Sequence, residues 1–414
     1  MNIDRRIGLL LLVVLGSLNA FKTYEGYHVF QVDPTSRDHL KFLRNLESVV
    51  DFWKKPLARH TKCQFAVAPD AVDQTKRLLQ RNGIKFEILV EDLSPEISSS
   101  DAAFDDIDSF AFDKYHSFAD MMSYIEAVAE EHAEFVSIGS LGKSFQGRDI
   151  KYLKIGYPSA KPKNMMFIDA GIHAREWIAP STALFAIRQL VTDTTLRSTL
   201  EAIDIFIAPN VNPDGYEYSR AEERMWRKTR SGPRGPFRCY GADANRNFPF
   251  KWDVSGASPN PCNDAYSGPS PLSEVESANL AQFISSHRST LKTYLTLHSF
   301  GQQLLFPWGY ASDTFPPDAL QLIRAADAAA AAIARVNGTE YTVESGGQLY
   351  PAAGASDDFA KSIGVPFVYT IELRPSQWDH FGFILPERFI VPTGEETFPG
   401  LMTFAEYTRK GPFD

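Results

Sequence analysis

Residues 165–177 read MMFIDAGIHAREW, and the fold turns on how they are taken. Met165–Ala170 is an apolar run of strand length that stops at Gly171. That is the pattern of a strand buried on both faces in a parallel sheet, not of a half-exposed hairpin strand. His173 and Glu176, three residues apart, then fall just beyond the strand's carboxyl end, where open α/β sheets place their sites. An imidazole nitrogen and a carboxylate on one side of a tight turn supply two ligands for zinc, which needs a third ligand and an open position to be catalytic. The pair differs from the His-Glu-x-x-His signature, in which both histidines share a helix face. An isolated His-x-x-Glu is a weak signal, since such pairs more often cap helices or lie in water.

Working outward, two further apolar runs end in polar groups of the same kind. Thr293–Leu297 stops at His298, a candidate third ligand, and Phe367–Ile371 stops at Glu372-Leu373-Arg374. A carboxylate at Glu372 can face the same crevice and act as general base on a metal-bound water whose pKa falls to about 7. The bland reading is a surface Glu372–Arg374 arrangement, since charged residues commonly end strands. The remaining strand runs are Phe135–Leu141, Ile150–Ile155 and Ile203–Asn210. They alternate with helical patterns at Phe118–Glu131, Ser181–Val191, Ser273–His287, Asp318–Val336 and Glu387–Thr408, so the region from Tyr115 reads as an α/β unit. Two basic clusters, Met225–Arg230 and Asp243–Asn247, stand out because arginine forks suit a substrate carboxylate or a developing oxyanion. Solvated surface remains the ordinary reading for Lys228 and Arg230. The other seven histidines have no comparable setting.

Toward the N-terminus the character changes. Strand patterns at His28–Val32, Cys63–Ala68 and Ile84–Val90 interleave with helical patterns at Ser36–Phe52 and Asp70–Gln80, which predicts a small α+β unit. Residues 86–113 then carry nine acidic residues and no Lys or Arg, and the second half of this stretch reads as a linker. Residues 1–20 place Arg5 and Arg6 before the apolar Ile7–Leu15 and end in small and polar residues at Ala20. This is a secretory signal, because a bilayer span needs about 20 apolar residues. Export puts the cysteines in an oxidising space, where Cys239 and Cys262 can close a loop within one region, while Cys63 has no obvious partner. Asn337-Gly338-Thr339 is the one glycosylation sequon.

Composition narrows the function classes. With 42 basic against 51 acidic residues the net charge of the 414-residue chain is −9, which excludes a nucleic-acid binder by charge. Three cysteines exclude a disulfide-dense mini-domain and a four-cysteine zinc site. No stretch beyond the first 20 residues is long and apolar enough to suggest a membrane partner.

The motifs DAGIHAREW (169–177), NVNPDGYEYS (210–219), RMWRKTRS (224–231), DANRNF (243–248), LHS (297–299), LYPAAGASDDF (349–359) and IELR (371–374) together resemble the secreted zinc metallocarboxypeptidases of the carboxypeptidase A/B family. The resemblance covers nearly the whole chain. It implies a mixed twisted sheet with helices on both faces, preceded by a small α+β antiparallel-sheet prosegment. The expected organisation is a signal peptide over 1–20, an activation prosegment with its acidic linker over 21–110, and a catalytic domain over 111–414.

Carried over by position, the resemblance implies one Zn²⁺ held by His173, Glu176 and His298. Glu372 is the implied general base and Arg227 the oxyanion stabiliser. Asn245 and Arg246 are expected to grip the free carboxylate of a peptide or protein C-terminus, with Tyr350 closing over it and Arg175 guiding the substrate in. Cys239 and Cys262 correspond to the family's disulfide. An Asp at the position of Asp357 accompanies preference for C-terminal Lys or Arg, whereas an apolar residue there accompanies apolar or aromatic preference. Asp357-Asp358 can instead cap the next helix with one carboxylate facing the pocket. The implied product is a secreted, extracellular, monomeric exopeptidase made as a zymogen and opened by an activating protease. An inactive peptide-binding relative is disfavoured because no ligand or base is missing, and a deacylase because Arg227, Asn245, Arg246 and Tyr350 are all kept.

The chain departs from the family pattern in several places. Residues 375–383 (PSQWDHFGF) are longer than the segment that usually follows the Glu-Leu-Arg, Phe300 stands where Tyr is common, and Ala355 replaces a usual Gly. Trypsin-like opening of the linker has no basic residue between Lys85 and Lys114 to use. Activation is therefore expected through a protease of other specificity, through Lys85 or Lys114, or not to involve removal at all.

Overall fold

The computed structural model describes residues 22–46, 50–56, 59–94 and 107–411. The expected signal segment and much of the expected linker lie outside these residues. In the small N-terminal unit, β1 (His28–Val32), α1 (Arg37–Asn45), β2 (Asp51–Lys54), β3 (Cys63–Val67), α2 (Pro69–Arg81) and β4 (Phe86–Val90) form an antiparallel sheet in the order β2-β3-β1-β4. Phe30, Phe65, Leu43 and Leu79 share its core. Ser36, where the expected helix begins, caps α1 by accepting from the His39 amide, but the helix ends at Asn45 rather than at Phe52. The overrun has a physical cause. Phe52 lies opposite Phe65 across the β2–β3 pair with ring centroids 5.1 Å apart, while its neighbour Trp53 turns away toward Phe383 of the large unit. Alternation between two buried faces is a strand's geometry, and α1 has no use for these rings. The thiol of Cys63 is buried inside β3 and unpaired.

The large unit contains α3 (Phe118–Glu131), β5 (Val136–Lys143), β6 (Asp149–Ile155), β7 (Asn164–Ala170), α4 (Ile178–Thr192), α5 (Arg197–Ala202), β8 (Ile203–Ala208), α6 (Pro213–Ala221), α7 (Val275–Ser286), β9 (Leu291–Gly301), β10 (Gln303–Phe306), α8 (Ala319–Asn337), β11 (Thr342–Ser345), α9 (Gly346–Leu349), α10 (Ser356–Ser362), β12 (Phe367–Ser376) and α11 (Ile390–Lys410). Among the described residues the strands make an eight-stranded sheet, β11-β10-β12-β9-β7-β8-β6-β5. Its centre, β12-β9-β7-β8, is parallel, and antiparallel strands flank it on both sides. This is the mixed sheet the resemblance implies.

Strand alternation sorts the centre into two cores. Ile168 and Ala170, Leu295 and Leu297, and Tyr369 and Ile371 face a core shared with α3, α4, α8 and α11. Phe167, Tyr294 and Val368 face the opposite core, under α7 and α10. Asp169, Thr296 and Thr370 follow the second set on the same face. The helices at 118–131, 178–192, 275–286, 319–337 and 390–410 lie where expected within a few residues. Strands β10 and β11 were not anticipated; with four residues each they carry too little pattern to read. β9 and β12 run past their expected ends because β10 pairs β12 as far as Gln303 opposite Glu372, so His298 and Glu372 lie inside strands rather than just after them.

A disulfide joins Cys239 and Cys262. Phe110 stacks on His116 at 3.9 Å and joins the α3 core, so the chain belongs to the large unit from there on. The two units meet in an apolar seam of Tyr24, Val29, Trp53, Ala66 and Leu93 against Met225, Phe383 and Ile384. No helix among the described residues is long and apolar enough to cross a membrane.

Candidate functional site

The turn after β7 is built for close approach. Gly171 has φ +71°, and a Cβ there would lie 3.0 Å from Asn210 Cγ, so the left-handed turn needs glycine. It swings Ile172–Glu176 back across the strand ends, and α4 starts immediately beyond. His173, Glu176 and His298 converge there, all buried, with their ligand atoms within 4.8 Å of one another. Glu176 Oε1 lies 2.8 Å from His173 Nδ1, and Oε2 lies 3.1 Å from His298 Nδ1. The two Nδ1 atoms face each other at 3.1 Å. The Ser299 amide donates to Glu176 Oε2 and holds the carboxylate in place.

This donor set fits a zinc ion. Two nitrogens 3.1 Å apart span about what two ligands at 2.0–2.1 Å from one metal would. On its far side, His173 presents Nε2 to Asp243 Oδ1 at 3.1 Å, an acceptor that keeps the proton there and leaves the Nδ1 lone pair facing inward. Burial, with the Arg227 charge, holds His173 below its ordinary pKa. Burial also opposes a charge on His298, but Glu176 beside it prevails and lifts that imidazole to about 9. Burial works against the Glu176 charge as well, and the two histidines more than offset it, so its carboxyl is held far below its ordinary value.

Asp243 is the residue that sequence reasoning missed. Besides His173 it takes a double contact from Arg227, whose Nε and Nη2 donate to its Oδ2 at 3.0 and 2.8 Å. Arg227 Nη1 stands 3.6 Å from Glu176 Oε1. Burial disfavours charge on both partners, and each holds the other charged. The signal for Asp243 lies in the stretch Asp243–Asn247, where a carboxylate stands two residues before Asn245.

A crevice of about 740 Å³ is lined by His173, Glu176, Arg227, Arg246, Tyr350 and Glu372, while Asn245 and Asp357 lie behind its lining. Arg246 Nη2 lies 3.5 Å from the Tyr350 hydroxyl. Asn245 accepts from the Ser356 amide at 2.9 Å, which turns its Nδ2 toward His298 Nε2, 3.5 Å away. Burial pushes the Glu372 carboxyl up to about 8, with His298 pulling against it. Asp357 lies in the first turn of α10 and accepts from Thr370 Oγ1 at 2.9 Å. Thr370 precedes Glu372 by two on β12, so Asp357 sits on Glu372's side of the sheet, one step deeper. Asp358 turns elsewhere and accepts from the Gly309 and Tyr310 amides. Ala355 has φ −87° and takes its place without strain.

Arg175 is not open to a ligand in this structure. Its Nη1 donates to Asp51 of the small unit at 3.2 Å, to Asp264 at 3.3 Å and to the Met225 carbonyl, and its guanidinium lies 4.1 Å over the Phe383 ring. The small unit therefore closes one wall of the crevice with β2.

Residues 121–400 match the family model described as zinc carboxypeptidase, and residues 30–100 match carboxypeptidase activation peptide. Carboxypeptidase B of Astacus astacus is 43% identical over 298 residues, which is 71% of this chain and 97% of that protein. Carboxypeptidase A2 of Mus musculus is 36% identical over 99% of this chain and 100% of its own. Among solved structures, thrombin activatable fibrinolysis inhibitor superposes with a TM-score of 0.86 at 31% identity, covering 94% of this chain and 100% of that one. Carboxypeptidase A from Helicoverpa armigera superposes with 0.83 at 32% identity, covering 94% and 98%.

Proposed function

The chain belongs to the zinc carboxypeptidase family and carries that family's activation peptide, and from this premise we propose a secreted zymogen whose processed form releases Lys or Arg from peptide C-termini. The observation that carries the specificity is Asp357 beneath Glu372, tied to Thr370 and buried. A buried carboxylate is matched by a cationic side chain and left unpaired by an apolar one, which penalises the apolar substrate. Asp358, spent on two backbone amides, anchors the loop and leaves Asp357 to read the side chain.

The residues divide the work as follows. His173, Glu176 and His298 would hold the zinc ion, which would supply Lewis acidity at the scissile carbonyl. Asn245 and Arg246 bind the terminal carboxylate, Arg246 offering the planar fork that matches it, and Tyr350 closes over the pair. Glu372 takes a proton from the attacking water, whose oxygen bonds to the scissile carbonyl carbon. It returns that proton to the amine nitrogen as the C–N bond breaks. A carboxyl poised near neutrality by burial suits both steps. Arg227, held charged by Asp243, stabilises the negative charge that develops on the carbonyl oxygen.

Activation follows from the linker. Lys114 is ion-paired to Glu387 at 2.7 Å, and the next residue, Tyr115, is buried with its hydroxyl on the Leu385 carbonyl. Cleavage at Lys85 would leave β4 attached to the enzyme. These contacts favour a cut between Ser94 and Ile107 by a protease that does not need Lys or Arg. N-terminal sequencing of the active form tests this, and a start at Phe86 or Tyr115 would refute it. For specificity, paired peptides ending in Arg and Phe decide. The Arg peptide is expected to have the higher kcat/KM, and equal or faster release of Phe would overturn the basic assignment.

A further inference from the structure

The longer segment after Glu372 holds a seat for a cation that the reaction does not use. Lys54, the last residue of β2, reaches out of the small unit and donates from Nζ to Gln377 Oε1 at 2.8 Å. Its Nζ also lies 4.3 Å from the centroid of the Trp378 ring, which is otherwise 62% exposed. Burial holds the Lys54 ammonium below its ordinary pKa, and the half-buried Glu344 of β11 offsets a part of this from beyond ion-pair distance; Gln303 donates to the Glu344 Oε1 at 2.6 Å. An aromatic face and an amide oxygen about one ammonium are the elements of a cation site. Lys54, Gln303 and Gln377 line the same crevice as Glu372 and Tyr350. The seat is therefore continuous with the place where a peptide is cut.

We propose that Trp378 and Gln377 form a cation subsite, filled in the zymogen by the chain's own Lys54, which on the processed enzyme receives a Lys or Arg side chain upstream of the substrate's C-terminal residue. The seat reads a different residue from the one Asp357 reads, and it rests on the carboxypeptidase activity proposed above. Removal of the small unit takes Lys54 away and leaves the Gln377 amide, which lines the crevice, and the adjoining Trp378 ring for another cation. A substrate cation there makes the ring and amide contacts that Lys54 makes in the zymogen, whereas an upstream carboxylate meets the electron-rich ring face and the amide oxygen.

The test uses processed enzyme and peptides that share one C-terminal residue and carry Lys, Ala or Glu at each of the second to fourth positions from the end. At one of these positions Lys is expected to raise kcat/KM over Ala roughly three- to tenfold, expressed in KM, with Glu the poorest. Trp378→Ala and Gln377→Ala should each erase the Lys-over-Ala ratio, whereas a merely structural defect would scale both peptides alike. The same peptides titrated into processed Glu372→Gln protein read the subsite without turnover. Loss of the carboxypeptidase reading would show as no hydrolysis of any peptide by the unmodified enzyme. The subsite is overturned by equal binding and equal kcat/KM of Lys and Ala peptides at every position, or by a Lys advantage that survives Trp378→Ala.

Discussion

Glu372 on β12 stands directly opposite His298 on β9 in the parallel ladder. Paired residues of neighbouring strands project from the same face, so one hydrogen-bond register sets the candidate base beside a candidate zinc ligand. The same register puts Thr370 opposite Thr296; Thr296 donates to Asp169, its register partner on β7, and Thr370 donates to Asp357 of α10.

Glu372→Gln keeps the shape of the side chain and removes its ability to carry a proton. Turnover should fall by about 10²–10⁴ while zinc content is unchanged. Steady-state kinetics with metal analysis of the purified protein checks both, and retention of activity would remove Glu372 from the base role.

Asp243→Asn tests the carboxylate shared by His173 and Arg227. Weaker hold on the His173 Nε2 proton should cost zinc affinity about 10- to 100-fold. Chelator competition measures it. The Asn variant is preferred to Ala because its amide oxygen can still accept from Arg227 or His173 and it leaves no cavity; since Arg227 loses its counter-charge in either case, thermal stability is measured beside zinc affinity.

Asp51→Ala removes the contact that the small unit makes with Arg175. A hydrogen bond to a charged group is worth about 1.5–3 kcal/mol, so the released prosegment should inhibit the processed enzyme roughly 10- to 100-fold more weakly. Inhibition titrations in trans give the number, and an unchanged constant would show that the apolar seam around Trp53 holds the units together alone.

Glu276 in the first turn of α7 gives a pH dependence of folding. It is buried, Oε1 accepts from the Phe145 amide at 2.9 Å and Oε2 has no partner among the described residues. Burial, opposed by that amide, pushes its carboxyl from 4.5 up to about 7. Between these values the folded protein keeps a proton that the unfolded chain has lost. Stability should therefore fall as pH rises through this window and level off above it, by about 3 kcal/mol in all at ~1.4 kcal/mol per pH unit. Denaturant titrations at pH 5 and pH 8 measure the difference, and Glu276→Gln should flatten it by stabilising the protein at pH 8.

Some of this protein is legible from its residues alone. MMFIDAGIHAREW announces a buried parallel strand with two ligands past its end, and His298 and Glu372 close two more apolar runs. Strands buried on both faces must be apolar, so a polar group that ends one is conspicuous. The helices at 118–131 and 319–337 follow from periodicity for the same local reason. The tertiary structure decided what depends on distant partners. Phe52 and Trp53 continue an apolar pattern from α1, and only pairing with β3 and the seam with Phe383 turned them into a strand. β10 and β11 exist because β12 offers an edge. Asp243 gained its role from His173, 70 residues away, and Arg175 met Asp51 across 124. Lys54 found Trp378 across the boundary between units. Periodicity records which way a side chain faces; it holds no record of which remote group will be waiting there, because that depends on the packing of whole elements.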